Sequence, residues 1–336
     1  MSNITAVVLT VGEETTQRAI NSVKEQTLPA DDIIVIENVT PFHKALNWGA
    51  SRVQTEFFVQ VDADMILDPC CLQMLGQCMA PNVGIALGRL RDPMIGRTVG
   101  IKMFRKACFE KLQFPDSISP DTDFRDKLSD YGWARVSVLR FSGEDKELWH
   151  TLGEHRPTYS PHYTFSKYLL LGGRYRYRKT LSGFLQHMRR LQDNKHAMAL
   201  IAQIALAHGA FLEEERDLLG PYGKDRQFEF FERFSQSRER LKLNKLRLLL
   251  SLYASPKLAF KKYYQLGISL RKAAAYTDFI NWLDVVNRSR YSFALIAKLG
   301  LCHGIFLESY DDATFQREYV MLKKLLWGRV ISSILK

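Results

Sequence analysis

The run Phe57-Phe58-Val59-Gln60-Val61-Asp62-Ala63-Asp64 carries the clearest chemical signal in the chain. Four of its first five residues are apolar and suit a buried strand, which ends in two carboxylates one residue apart. Residues i and i+2 of a strand point to the same side, so Asp62 and Asp64 face one object. Two anions so close repel each other unless a proton or a cation lies between them. A hard divalent ion meets that need, held by one or two carboxylates with phosphate oxygens completing its shell. Taken alone, the pair also suits a polar strand end or an acidic turn.

The elements around the pair decide between these. Ile4 to Thr10 is a β-branched strand, followed by a turn at Val11-Gly12-Glu13-Glu14 and a helix through Ala19, Ile20 and Val23. Ile33 to Ile36 is a second buried strand, and a helix from about Phe42 to Arg52 leads into the strand at Phe57. This strand–helix alternation predicts an α/β fold, Rossmann-like, with a mostly parallel sheet and right-handed crossovers. Ligands of such sheets bind beyond the carboxyl ends of the strands, where Thr10, Glu13, Glu37, Asn38, Asp62 and Asp64 all fall. Further strands are expected at Val83–Gly88 and Ile101–Arg105, and a short helix at Ala107–Leu112. Asp121 and Asp123, taken by themselves, would serve as N-terminal caps of a helix.

The ordered set Thr10-Val11-Gly12-Glu13, Gln26-Thr27-Leu28-Pro29, Ala45-Leu46-Asn47-Trp48-Gly49-Ala50 and Val61-Asp62-Ala63-Asp64-Met65 resembles the nucleotide-sugar-binding half of the family-2 glycosyltransferases. These are inverting enzymes of the GT-A fold, and the resemblance covers roughly residues 4 to 135. It implies that Thr10 and Glu13 lie against a nucleoside and that Glu37 meets the base. Asp62 would touch ribose or metal, Asp64 would ligate Mn²⁺ or Mg²⁺ at the diphosphate, and Lys44 and Asn47 would lie near the diphosphate or sugar. Matching Phe124, Leu128 and Gly132 to the family's second acidic motif places its general base at Asp121, with Asp123 as the fallback. The family's Glu before the base is Pro120 here, and Glu37-Asn38-Val39-Thr40 replaces its usual acidic, Ser-containing turn. A histidine after the base-bearing helix completes the metal shell in some relatives, which nominates His155 and His150; imidazole suits Mn²⁺.

Composition sets the outer bounds. The 336 residues are enough for two domains, and the formal net charge of +11 attracts anionic partners. Positive charge concentrates after residue 165, as in Arg174-Tyr175-Arg176-Tyr177-Arg178-Lys179, without a nucleic-acid-binding motif. Cys70, Cys71, Cys78, Cys108 and Cys302 have no metal-ligand spacing and read as reduced thiols. With no signal peptide and no apolar run long enough to span a bilayer, the expected location is cytoplasmic, with peripheral contact to the inner face of a membrane left open.

Residues 1–160 thus read as the catalytic domain and residues 161–336 as a helical one. In the helical part, Phe165-Ser166-Lys167-Tyr168, Ala199-Leu200-Ile201-Ala202 and His208-Gly209-Ala210-Phe211-Leu212-Glu213 each recur 95 residues later. A constant offset signals tandem duplication, with repeats at about 165–255 and 260–336. His208 and His303, each before a glycine, read as helix-end histidines with glycine C-caps. The segment Leu322–Leu335 suits either a packed terminal helix or one lying at a membrane interface.

The function expected is a metal-dependent inverting hexosyl- or N-acetylhexosaminyl-transferase of polysaccharide biosynthesis. Its donor would be a nucleotide-sugar, UDP-sugar foremost, and its acceptor a glycan, a lipid-linked saccharide or a protein. Nucleic acid is not an expected partner, and self-association is left open. Two other functions compete. A sugar-1-phosphate nucleotidyltransferase would need a Gly-rich, Arg-containing first loop, which Val11-Gly12-Glu13-Glu14 is not. A catalytically degenerate nucleotide-sugar-binding protein would use its helical repeats for protein or membrane interaction.

Overall fold

The computed structural model describes residues 3–142, 146–149, 151–212, 221–241, 245–289 and 293–326. The chain divides into two compact units, Met1–Thr158 and Tyr159–Lys336. Among the described residues no helix is long and apolar enough to cross a membrane. The five cysteines are free.

The first unit is built on an eight-stranded mixed sheet. Its strands are β1 (Ile4–Thr10), β2 (Asp32–Glu37), β3 (Phe57–Asp62), β4 (Met65–Leu67), β5 (Val83–Asp92), β6 (Gly96–Arg105), β7 (Ala134–Ser137) and β10 (Thr151–His155). The order is β2-β1-β3-β6-β5-β10-β4, with β7 alongside β5. β8 (Leu139–Ser142) and β9 (Lys146–Trp149) form a separate hairpin. β1 pairs in parallel with both β2 and β3, as strand–helix–strand crossovers require. The parallel arrangement is interrupted at β3, because β5 and β6 form a hairpin that lays β6 antiparallel against it, and resumes where β7 and β10 pair in parallel with β5.

That hairpin is longer than the sequence pattern indicated. Charged Arg89, Arg91 and Asp92 look like a loop, yet β5 runs through them. Leu90 is buried, Arg91 reaches Asp68 at 2.9 Å, and Asp92 accepts hydrogen bonds from the amides of Met94 and Ile95 at 2.7 and 2.9 Å. β10 was likewise not anticipated.

Helices cover both faces of the sheet. α1 (Thr16–Lys24) and α3 (Cys71–Gln77) pack on one side, where Val59, Val61, Ile101 and Met103 point. α2 (Phe42–Arg52) and α4 (Pro120–Lys127) pack on the other, over Phe58 and Phe104. On that second side Phe58, Phe104, Phe109, Phe114 and Phe124 form a continuous ring cluster, with Phe114 and Phe124 stacked at 4.4 Å. The cluster anchors α4 through Phe124, which is fully buried.

The second unit is all helix. Its described helices are α5 (Pro161–Tyr177), α6 (Leu181–Asp193), α7 (Ala199–Gly209), α8 (Pro221–Ser235), α9 (Lys245–Ala254), α10 (Pro256–Lys272), α11 (Tyr276–Arg288), α12 (Ala294–Gly304) and α13 (Asp312–Leu326). α5, α6 and α7 recur as α10, α11 and α12 with identical lengths and starts displaced by 95 residues. Even the caps repeat: Ser160 and Ser255 each accept from the amide three residues on, and each precedes a proline at the first helical position. α8 and α13, each of 15 residues, are displaced by 91, the connection before α13 being four residues shorter.

Equivalent positions of the two repeats touch each other. His208 Nδ1 lies 2.8 Å from His303 Nδ1, Lys298 donates to Gln203 at 2.8 Å, and Gln192 donates to the Asn287 carbonyl at 2.7 Å. Contacts between equivalent residues mark a local twofold axis. The rings obey it too: His208 stacks on Phe306 at 3.9 Å and His303 on Phe211 at 4.4 Å.

The glycines after the two histidines do not cap their helices. Gly209 and Gly304 are the last residues of α7 and α12, and Ala210 and Ile305 occupy the C-cap positions. A Cβ on Gly209 would lie 2.1 Å from the Leu169 carbonyl oxygen, and one on Gly304 would lie 2.4 Å from that of Tyr264. These glycines let α5 approach α7, and α10 approach α12, backbone to backbone. Gly209→Ala should therefore lower unfolding free energy by about 1–3 kcal/mol, measured by urea denaturation. A loss below about 0.5 kcal/mol, typical of a surface site, would refute the close-packing role.

Candidate active site

Three pieces of chain, with their neighbours, place polar side chains at the carboxyl end of the sheet. After β1, Thr10 Oγ1 contacts Glu13 Oε2 and Thr16 Oγ1, each at 2.8 Å. Glu13 Oε2 also accepts from the Val11 amide at 2.8 Å, while Gly12 turns the chain at φ +94° and donates to Thr10 Oγ1 at 3.0 Å. The turn is thus closed on itself, with Glu13 exposed at its tip.

β3 supplies the next piece. Gln60 and Asp62 share the face of Phe58, and Gln60 stands directly opposite Lys102 of β6. Gln60 donates to Asp62 Oδ1 at 2.9 Å. Lys102 is nearly buried, and its Nζ lies 3.6 Å from Asp121 Oδ2 in the first turn of α4. Burial and the neighbouring Asp64 raise the pKa of Asp62 above the ordinary carboxylate value, although Lys102, Gln60 and His155 oppose the shift. Asp123 faces elsewhere: its carboxylate accepts from the Ser117 hydroxyl and pins the loop that enters α4.

The third piece comes from β10, 91 residues beyond Asp64. β10 runs antiparallel to β4, with His155 opposite Met65, and the ladder extends through the Arg156 amide to the Asp64 carbonyl at 2.7 Å. Gly153 makes this pairing possible: its φ is +151°, and a Cβ there would lie 2.3 Å from the Ile66 oxygen. On its other side β10 is parallel to β5, with Glu154 opposite Arg91. The next residues on each strand, His155 and Asp92, then meet at 2.6 Å between Nδ1 and Oδ2.

His155 Nε2 lies 3.2 Å from Asp64 Oδ2. Asp92 is almost fully buried and its Oδ1 is filled by two amides, so the His155 Nδ1–H donates to Oδ2. A neutral imidazole in that tautomer turns its Nε2 lone pair toward Asp64. Two acceptors 3.2 Å apart repel unless positive charge lies there, supplied by a second proton or by a cation bound to both. Asp64 Oδ1 is buried with no hydrogen-bond partner. This is the ligand pattern of a metal-binding imidazole backed by a carboxylate, next to a carboxylate with an unused oxygen. Among the described residues no group of three or more His, Cys, Asp or Glu has metal-holding geometry, and Asp64 with His155 makes a group of two. That number suits Mg²⁺ or Mn²⁺ bound together with phosphate oxygens and water.

The other nominated residues fall as follows. Glu37 is exposed at the end of β2, and Lys44 is exposed in the first turn of α2. The Asn47 amide is engaged on both sides by Phe114, donating to its carbonyl at 3.0 Å and accepting from its amide at 2.9 Å. It therefore braces the loop before α4. His150 lies outside the described residues. The sequence reading overlooked Lys102 and Asp92. Lys102 had a visible signal, as a lone cation inside the apolar run Ile101-Lys102-Met103-Phe104. Asp92, before a proline, looks like an ordinary turn residue.

No family model matches the chain, and no curated protein does. Solved structures that align with the chain include a mannosyltransferase, PcManGT, from Pyrobaculum calidifontis in complex with GDP-Man and Mn²⁺, at 16% identity and TM-score 0.41, covering 75% of this chain and 81% of that one. Residues 1–349 of TarS from S. aureus in complex with UDP align at 14% identity and TM-score 0.35, covering 91% and 90%. Glucosyl-3-phosphoglycerate synthase from Mycobacterium tuberculosis, in complex with Mn²⁺, UDP and glucosyl-3-phosphoglycerate, aligns at 14% identity and TM-score 0.32, covering 46% and 72%.

The raised pKa of Asp62 has a stability consequence. A carboxyl that holds its proton more tightly when folded weakens the fold as pH rises from the unfolded value, near 3.8, through the folded one. Above that window the loss is constant. Asp62→Asn removes it and retains an acceptor for Gln60. In EDTA the variant should melt higher than wild type at pH 7, and the difference should vanish near pH 3. An equal or lower melting temperature at pH 7 would count against the charge strain.

Proposed function

We propose that the first unit transfers a glycosyl group from a nucleotide-sugar to an acceptor hydroxyl with inversion at the anomeric carbon. The observation that carries this reading is the approach of His155 Nε2 to Asp64, with Asp92 behind the ring and an unused carboxylate oxygen beside it. Asp64 and His155 would hold Mn²⁺ or Mg²⁺, with Asp62 beside them. When bound, such an ion neutralises the negative charge that develops on a departing diphosphate.

The remaining roles belong to the side chains. The turn from Thr10 to Thr16 and the exposed end of β2 at Glu37 border the space for the nucleoside. Asp121 takes the proton from the acceptor hydroxyl as that oxygen attacks the anomeric carbon from the face opposite the nucleotide. Lys102, 3.6 Å from Asp121, holds that carboxylate by charge and extends positive potential toward the diphosphate. Asp123, engaged by Ser117, fixes the start of α4 so that Asp121 keeps its place. UDP is the first nucleotide to test.

Calorimetric titration with UDP, GDP and dTDP, with and without Mn²⁺, checks the donor site. One nucleotide should bind in a metal-dependent way, and Asp92→Asn should weaken Mn²⁺ binding by about 10–100-fold by loosening the imidazole. Metal-independent binding, or none, would overturn the assignment. Asp121→Asn should cut transfer, once an acceptor is in hand, by about 10²–10⁴-fold while nucleotide affinity is retained; unchanged transfer would remove Asp121 from the mechanism.

A further inference from the structure

The helical unit holds a cavity of about 460 Å³, within the size range of small-molecule sites. Its walls come from both repeats. Phe230 of α8 and Phe306, just past α12, meet edge to face at 5.7 Å and provide an aromatic surface, flanked by Leu212 and Leu307. Its polar lining is dominated by donors: Arg226, Gln227 and Arg271. The Arg271 guanidinium lies 4.2 Å from the centroid of the Phe230 ring, which fixes its plane against the cavity wall. Its carboxylate neighbour, Glu308, sits 3.4 Å away with 83% of its side chain exposed, so this pair is a solvated rim contact that a better-placed anion can displace. Gln227 gives its oxygen to His208 Nε2, leaving its amide NH₂ as the group available to a ligand.

The duplication supplies an internal comparison. Under the twofold relation, Gln227 of α8 corresponds to Glu318 of α13. The first contacts His208, and the second lies 3.0 Å from His303, at equivalent positions. The neighbouring packing agrees, with Phe165 on Phe228 in one repeat and Phe260 on Tyr319 in the other. Glu318 is almost completely buried, so the second repeat carries its own carboxylate there. The first repeat has a neutral amide in that place, beside two guanidinium groups. The surrounding unit is strongly basic: residues 159–336 contain 30 Lys and Arg against 15 Asp and Glu, while residues 1–158 contain 17 against 21.

We infer that this cavity is a second ligand site, separate from the carboxylate centre of the first unit, and that it takes a phosphate monoester of a sugar or small polyol. Arg226 and Arg271 match the double charge of a phosphate monoester, and guanidinium forks bind phosphate in paired hydrogen bonds. Gln227 donates a further hydrogen bond. The carbon skeleton lies on Phe230 and Phe306, filling volume that inorganic phosphate alone would leave empty.

The test uses the full chain carrying Asp64→Ala, in EDTA, so that binding at the carboxylate centre is suppressed. Calorimetric titrations with glucose 1-phosphate, glycerol 3-phosphate, inorganic phosphate and glucose are compared. At least one ester should bind about tenfold or more tightly than inorganic phosphate, and glucose should not bind. Arg226→Gln, at an exposed position, should weaken the ester about tenfold. Gln227→Glu, which installs the residue type of the second repeat, should do the same while keeping the acceptor for His208; both variants should retain the wild-type melting temperature. Absence of ester binding, inorganic phosphate binding as tightly as the esters, or affinity untouched by both variants would overturn the site. These outcomes are independent of the Mn²⁺-dependent nucleotide titration on the wild-type chain, so either proposal can fail alone.

Discussion

Uncompensated negative charge at the carboxyl edge of the sheet is the constraint around which the first unit is arranged. β3 delivers Asp62 and β4 begins just past Asp64, so the tight turn between the two strands fixes two carboxylates close together. The fold answers with Lys102 from the neighbouring strand and His155 from a strand far along the chain. Burial, ahead of the neighbouring Asp64, keeps the pKa of Asp62 raised despite both. The buried, unpaired Asp64 Oδ1 beside His155 is the feature on which the proposed cation site rests.

The precision of that edge depends on apolar packing some distance away. Residues of β3 and β6 that alternate with the Val59–Met103 face carry Phe58 and Phe104 first, then Gln60, Lys102 and Asp62. The phenylalanine cluster therefore holds α4 against the same side of the sheet on which the polar row emerges, and Asp121 reaches Lys102 as a result. Asn47 and Asp123 contribute by bracing the loop before α4. On the opposite flank Gly153 permits β10 to lie against β4. Arg91 ties Asp68 to Glu154, fixing the register that sets His155 between Asp64 and Asp92.

The helical unit solves a different problem, that of joining two copies of one motif without an open apolar face. Close backbone approach at Gly172, Gly209, Gly267 and Gly304 welds each helix pair, and the local twofold brings the two pairs together. Polar residues survive on the axis because each finds its own equivalent or a near neighbour: His208 with His303, Gln203 with Lys298. Divergence between the copies at Gln227 and Glu318 then gives one repeat a chemistry the other lacks.

How much of this could be read without coordinates follows from the range of the forces involved. The α/β order, the strand that ends at Asp62, and the 95-residue offset are periodic or local, and the sequence alone determined them. Alternation over five residues marks the buried strand and puts Asp62 at its end, but Asp64 stands in the turn between β3 and β4, where strand alternation no longer decides which way it faces. Local pattern offers nothing to say that His155 pairs across 91 residues with Asp64, or that Asp92 extends a strand rather than ending one. Nor does it reveal that the Asn47 amide pairs with the backbone of Phe114, or that the glycines after His208 and His303 serve helix packing rather than capping. Each of these was decided by tertiary structure, because strand order, register and helix approach depend on burying surfaces distant in sequence, and a polar side chain takes its role from whatever that burial places beside it.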